Sequence, residues 1–493
     1  MAGREYDVVI VGGGSSGAAA ARRLAEAGRS VALLEAGPTD EDNPRVLQVS
    51  EWMDLMEGEL DYDYAIEPQE RGNGRIRHAR ARVLGGCSSH NSCIAFVAPD
   101  RDMRDWVSRG ASGWGPDDVK PFFDRVLDTV HIAEPSGENA LNQAVIEAAT
   151  QAGLPNVTFN TGQFTPGAGL FQLNVKDGVR QSSSVSYLHP TRELPDNLDL
   201  RTGVRVTRVL IEGGRATGVE TDGGVVRGAE ILLCAGAFDT PKLLLLSGVG
   251  PAAQLTRHGL DVVADLPGVG EHLLDHPEGV LNWQTSAPVP EMQSQGWEVG
   301  IFASVEDDEH PDLMFHLGLE PFTMQTELAG YPTAEQGFAL TPNVCHARSE
   351  GTVRLRSADP ADPPLIDFRY FTDPEGYDEQ IMLAGVHLAR EIAAQPALEP
   401  WNPRELTPDS DMTEDAALSE YVRRTANTVY HPAGTCRMGD PADAATVVGP
   451  DLRVRGVDGL RVADASVFPS MTSVNPNLTC MMIGERAANF LTG

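Results

Sequence analysis

Asp7-Val-Val-Ile-Val11, Gly12-Gly13-Gly14-Ser15-Ser16-Gly17, Ala18-Ala-Ala-Ala-Arg22 and Ser30-Val-Ala-Leu-Leu34-Glu35 succeed one another near the start of the chain. The first run is apolar and β-branched, as a strand buried on both faces of a parallel sheet requires. The third reads as a helix closed by Gly28, and the fourth as a second strand ending on an acid. Strand, glycine turn, helix and distal acid together make GxGxxG in its required setting. Gly12 supplies the tight turn, Gly14 lets backbone approach a pyrophosphate, and Gly17 lets the helix pack on the strand. The helix start at Ser15 faces the anion, and Glu35, followed by Ala36, accepts from a ribose hydroxyl. An acid here suits an unphosphorylated ribose, so the pattern predicts FAD or NAD rather than NADP. It does not choose between those two.

The surrounding 493 residues suffice for two or three domains. A net charge of −33, from 71 acids against 38 bases, argues against a nucleic-acid partner and against an anionic membrane surface. No run approaches the roughly 20 apolar residues of a membrane span. The N-terminus enters a strand directly, which predicts no signal peptide. Six cysteines at irregular spacing, with no CxxC, read as reduced thiols in a cytoplasmic protein. No His, Asp and Glu grouping has metal-ligand spacing, so no metal is expected.

Further along, 122–129, 141–152, 378–394 and 414–425 read as helices. Residues 197–235 alternate between glycine turns like a small sheet, and 229–235 form another buried strand ending at Gly236. Residues 280–370 suit a mostly antiparallel sheet, 459–464 a late strand, and 482–491 a final amphipathic helix. The dinucleotide domain is thus expected to be interrupted in sequence.

Arg82-Val-Leu-Gly-Gly-Cys-Ser-Ser-His-Asn-Ser92 resembles a signature of the glucose-methanol-choline flavin oxidoreductases. Gly236-Ala-Phe-Asp-Thr-Pro-Lys-Leu-Leu-Leu-Leu-Ser-Gly-Val-Gly250 resembles the second signature of that family. Gly268-Val-Gly-Glu-His-Leu-Leu-Asp-His-Pro277, His431-Pro-Ala-Gly-Thr-Cys-Arg-Met-Gly439, Val462-Ala-Asp-Ala-Ser466 and Val474-Asn-Pro-Asn477 follow in the family's order. The likeness spans essentially the whole chain and implies FAD. It implies an α/β fold class: a Rossmann-like FAD-binding domain, discontinuous in sequence (1–135, 166–277 and 429–493), plus an α+β substrate domain on a mostly antiparallel sheet (136–165 and 278–428). A homodimer is implied as well.

The first signature usually carries an aliphatic residue where this chain has His90. A histidine there is similar to the choline-oxidising branch, in which it is bonded covalently to the flavin 8α-methyl. The resemblance assigns cofactor contacts to Gly85, Gly86, Ser89, His90, Asn91, Val206, Asp464, Ala465, Pro476 and Asn477, besides the amino-terminal turn. It makes His431 and Asn475 the catalytic pair. Imidazole suits the role because the hydroxyl proton must leave before hydride does, and imidazole exchanges protons near neutral pH. A histidine on a strand such as Asp312-Leu-Met-Phe-His316 is ordinarily a satisfied core residue; the resemblance places His316 at the substrate hydroxyl. Ser92 matches a flavin-facing serine. Glu278 matches a glutamate facing a trimethylammonium group, with Trp52, Trp297, Phe322 and Tyr430 lining the pocket. A quaternary ammonium has no N–H to give, so a carboxylate and aromatic faces recognise it. Val429 matches an apolar residue where oxygen reaches the flavin. His276 reads as structural. The implied reaction converts choline through its aldehyde to glycine betaine, with oxygen reduced to hydrogen peroxide. Another primary alcohol, or an acceptor other than oxygen, is the alternative.

Overall fold

The apolar amino-terminal run forms the strand Glu5–Val11 in the middle of a seven-stranded sheet. The computed structural model describes residues 5–41, 43–135, 138–162, 164–189, 194–306 and 310–493. Residues 1–4, on which the leader reading partly rests, and the expected division after 135 lie outside or against undescribed residues. Val31–Leu34 and then Leu198–Arg201 pair parallel on one side of Glu5–Val11, and Gly224–Leu233 pairs parallel on the other. Arg215–Thr221 and Val206–Glu212 continue the sheet antiparallel, while Leu460–Val462 pairs parallel with the end of Gly224–Leu233. The late strand therefore lies beside residues more than two hundred positions earlier, the interrupted domain expected from sequence.

Parallel pairing buries both faces, which is why Val9, Ile10, Val31, Leu33 and Ile231 to Leu233 are all apolar and all buried. The helix Ser15–Glu26 follows the first turn, and the helix Asn477–Thr492 packs against it. Arg23 joins Glu485 between them at 2.9 Å. The final helix was expected to be amphipathic; instead it is buried on nearly every side from Leu478 to Ala488, because it lies between other elements rather than on the surface.

A second, eight-stranded sheet is antiparallel throughout. Its order is Arg404–Thr407, Leu281–Gln284, Gly337–Val344, Leu313–Gly318, Val299–Ala303, Gly167–Leu170. Pro277–Glu278 pairs with both Gly337–Val344 and Asn427–Thr428. Gly167–Leu170 falls on the dinucleotide side of the expected division at 165/166, yet it hydrogen-bonds into this second sheet. Pro277 and Asn427–Thr428 mark the two crossings between sheets, and the residues just beyond them line the site.

Candidate active site

The glycine turn is shaped as its sequence requires. Gly12 has φ +100°, and a Cβ there would lie 2.4 Å from the Cys234 carbonyl oxygen. A Cβ on Gly17 would lie 2.0 Å from the Gly12 oxygen, so the helix can approach the strand only through glycine. At Gly14, by contrast, the space is open, with Gly86 Cα the nearest atom at 3.7 Å. The helix beginning at Ser15 has no side-chain cap and no acid in its first turn. Its free N–H groups therefore favour an anion.

A cavity runs from this turn along Glu35, Ala36, Val206, Gly236 and Asp464. Glu35 is buried; its Oε2 accepts from Gly13 N–H at 2.8 Å and its Oε1 from Gly37 N–H at 2.7 Å. Each oxygen keeps a further lone pair for a hydroxyl donor. Burial raises its pKa against those N–H donors. Asp464 accepts from Gly236 N–H, the Thr240 hydroxyl and Ser466 N–H, tying the late strand to the helix Gly236–Leu246. Asn477 accepts from the Ser15 hydroxyl at 2.7 Å, and its buried Nδ2 has no partner. Open backbone N–H groups for a pyrophosphate, an acid for a ribose and an unsatisfied amide further in form a donor set that fits FAD. Gly17, Gly85 and Ser89 do not line the cavity. Ser89 turns its hydroxyl to the Leu84 carbonyl and Gly85 its N–H to Gly13, so both hold the loop that Gly86, His90 and Asn91 expose.

The cavity continues past Ser15, Cys87, Ala465 and Cys480 into a second chamber. Here the structure gathers His90, Asn91, Ser92, Trp52, Glu278, Trp297, His316, Phe322, Val429, Tyr430, His431, Asn475, Pro476 and Asn477. Sequence reasoning missed Met56, Ala79, Arg80, Ile94 and Thr428 on the same walls, since no motif marks them.

At one end stand His431 and Asn475, with Asn475 Nδ2 3.4 Å from His431 Nε2. Behind them stands His276, read from the sequence as structural: its Nδ1 lies 2.8 Å from His431 Nδ1. His276 Nε2 faces two carbonyls, Cys345 at 2.9 Å and Thr472 at 3.0 Å. Carbonyls only accept, so that nitrogen carries the proton and His276 Nδ1 is left with a lone pair. His431 Nδ1 must then donate to it, which leaves the His431 Nε2 lone pair facing Asn475 and the chamber. Burial, with His276, His316, Arg80 and His78 nearby, holds the His431 pKa well below its ordinary value. Burial likewise takes His316 down to about 3. The site thus holds neutral imidazoles, one of them with its basic nitrogen turned inward.

At the other end is Glu278, buried, with the Thr341 hydroxyl and the Asn427 amide as its side-chain donors. Its Oε2 has Asn427 Nδ2 at 3.4 Å, and its Oε1 is 4.0 Å from His316 Nδ1. Burial pushes its pKa up to about 8. Trp297 meets Phe322 edge to face at 5.3 Å and Trp52 at 6.3 Å. Trp52 is held by its Nε1 donating to the Gln295 carbonyl at 3.0 Å. His90, on the lateral wall, is kept neutral by burial and has Nε2 3.0 Å from the Leu55 carbonyl. All six cysteines are free. No helix among the described residues is long and apolar enough to cross a membrane, and no group of His, Cys, Asp and Glu there could hold a metal.

Comparison with known proteins agrees with this geometry. The two GMC oxidoreductase family models match residues 6–278 and 347–484. Choline oxidase of Arthrobacter globiformis is 51% identical, with 100% of this chain and 95% of that protein aligned. Oxygen-dependent choline dehydrogenase of Sinorhizobium medicae is 33% identical over 99% and 95%. The crystal structure of pyridoxine 4-oxidase from Mesorbium loti superposes with a TM-score of 0.92 at 30% identity, covering 98% of each chain. Aspergillus oryzae formate oxidase shares the fold, with a TM-score of 0.88 at 23% identity. The glycine turn, the discontinuous sheet and the full-length match make this chain a member of the GMC oxidoreductase family.

Proposed function

We propose that this flavoenzyme oxidises a primary alcohol bearing a quaternary ammonium group, choline first, to its aldehyde and then, through the hydrated aldehyde, to the carboxylate. The observation that carries the reading is Glu278. A buried carboxylate met only by the Thr341 hydroxyl and, at 3.4 Å, the Asn427 amide, and walled by Trp52, Trp297, Phe322 and Tyr430, costs free energy unless a cation completes it. An ammonium with three methyl groups fills such a box, making cation–π contacts with the rings and a charge pair with Glu278.

With the head group fixed there, the hydroxyl lies toward His431. The His431 Nε2 lone pair accepts the hydroxyl proton, and His276 stabilises the resulting imidazolium by accepting from Nδ1. Asn475 Nδ2 and His316 would donate to the alkoxide oxygen, lowering the barrier where charge develops. Binding energy at the remote cation is spent on orientation at the carbinol carbon. FAD held in this cavity would supply the hydride acceptor and the route by which the two electrons reach oxygen, giving hydrogen peroxide. Glycine turn, Glu35 and Asp464 would hold its adenosine diphosphate half; Gly86, His90 to Ser92, Ala465, Pro476 and Asn477 its ring. His90, neutral and therefore nucleophilic, would form the covalent tether, and Val429 would line the oxygen's approach. We further propose a homodimer, as the family resemblance implies.

The test is peroxide release and anaerobic bleaching with choline and with its uncharged isostere 3,3-dimethylbutan-1-ol. Choline bleaching the flavin at far lower concentration supports the reading. Equal concentrations for both would remove the cation site, and no bleaching by either would remove the alcohol chemistry. A yellow pellet on acid precipitation reads the tether separately.

A further inference from the structure

The segments 274–278 and 427–433 run antiparallel, with Pro277 opposite Thr428 and Leu274 bridged to Ala433. Between these pairings one segment is two residues longer than the other, and the ladder breaks. The surplus is taken up at Tyr430, a non-glycine residue at φ +63°, followed by His431 and Pro432. The His431 N–H therefore has no main-chain partner across the gap. The Asp275 side chain supplies one: Oδ1 accepts from His431 N–H at 3.0 Å. Its Oδ2 accepts from the Tyr370 and Thr428 hydroxyls, each at 2.5 Å. Thr428 Oγ1 in turn accepts from Tyr430 N–H at 2.8 Å, and Arg80 donates to the Tyr430 carbonyl at 2.6 Å. One buried carboxylate thus braces the strained turn that presents both the cation-facing Tyr430 and the proton-accepting His431.

We propose that Asp275 is the positioning residue of this active site: its carboxylate replaces the missing strand partner of His431 and biases the His276–His431 pair toward holding the substrate's proton. The inference rests on the reading of His431 as the proton acceptor. The other titratable groups facing the pair are His78 and Arg80 from one side, His316 from the second sheet and His346 from the turn after its strand Gly337–Val344, and Glu278 and Tyr430 from the chamber walls. Arg80 and the neighbouring histidines oppose an imidazolium. Asp275 favours one at His276, the residue next to it. Against full burial, His78, with Nε2 3.8 Å from Oδ2, and then the Thr428 and Tyr370 hydroxyls hold the Asp275 carboxyl below its ordinary range. Asp275 does not line the chamber, so it acts through the pair rather than on the substrate.

The experiment measures kcat and KM for choline against pH on flavin-loaded Asp275→Asn, Tyr370→Phe and His431→Ala. Asparagine keeps an acceptor for His431 N–H but loses the charge. We expect kcat to fall about 10-fold or more with KM within about 3-fold, and the acid limb of kcat/KM to move down by about 0.5–1 pH unit. Tyr370→Phe removes one donor from a carboxylate that stays charged, so its field at His276 grows and the limb moves up by about 0.2–0.5 unit. Opposite signs from two neighbours are not produced by loosened packing. An acid limb unmoved in Tyr370→Phe, with Asp275→Asn changing only yield or flavin content, overturns the inference. Should Asp275→Asn give no holoenzyme, the direction in Tyr370→Phe decides alone. Persistence of the wild-type limb in His431→Ala would instead overturn the reading of His431 itself.

Discussion

Asp275 and Glu278 stand on one short segment, both buried, and their carboxyls are driven in opposite directions. Asp275 accepts three hydrogen bonds and is held below the ordinary carboxyl range. Glu278 is met only by the Thr341 hydroxyl and a long contact from Asn427, and burial pushes it up to about 8. Burial raises both; the difference lies in the partners each has met, which for Asp275 include the His78 imidazole. A carboxylate whose lone pairs are filled by the fold is a brace. One left short of donors in an aromatic chamber waits for a charge from outside. The backbone explains the split: Asp275 sits in the break of a ladder, where hydroxyls and an N–H converge, whereas Glu278 sits in the intact pairing with Asn343 and Asn427, its side chain turned to the chamber.

The sharpest way to break this contrast is Glu278→Gln. Removing the charge that faces the ammonium should weaken choline binding about 100- to 1000-fold, or about 3–4 kcal/mol. The uncharged isostere should change by less than about 3-fold. Isothermal titration with both ligands reads the difference, and parallel losses would make Glu278 another brace. Next in size is stability. Asp275→Ala leaves three buried donors unmet and should cost about 2–4 kcal/mol in urea unfolding of the holoenzyme. Glu278→Gln removes a buried carboxyl with little to lose and should be within about 1 kcal/mol of wild type.

The pH dependence of choline binding sharpens the same point. The cation selects ionised Glu278, whose pKa burial raises to about 8. Affinity should therefore be flat above that pH and fall as pH drops through it. Between pH 9 and pH 7 the loss should be about 10-fold, roughly 1.4 kcal/mol, and proton release should accompany binding. The isostere should show neither effect. The smallest expected change is Trp297→Phe, which keeps a ring but weakens its face, costing choline about 2- to 5-fold and the isostere less.

Much of the dinucleotide half is legible along the chain. Strand, glycine turn, helix and acid are neighbours in sequence, and their backbone requirements can be met only by glycine at Gly12 and Gly17. The amide, imidazole and carboxyl groups of the second chamber are legible only through motif resemblance, because they arrive from the second sheet and from loops hundreds of residues apart. Gly85 and Ser89 show the limit of such motifs: conserving a loop's shape and touching the ligand look alike in one dimension.

What the sequence determined by itself is therefore the local chemistry: the anion-binding turn, the hydride-enzyme lineage and the residue types of the pocket. Three things were decided by the tertiary structure. The lone pair of His431 faces inward because His276 meets two carbonyls from other segments. Asp275 became a brace because a ladder breaks beside it. Glu278 became a receptor because the fold brings it the neutral donors of Thr341 and Asn427 but no cation. Each depends on which donors and acceptors meet across a desolvated space, and residue order carries no record of that meeting.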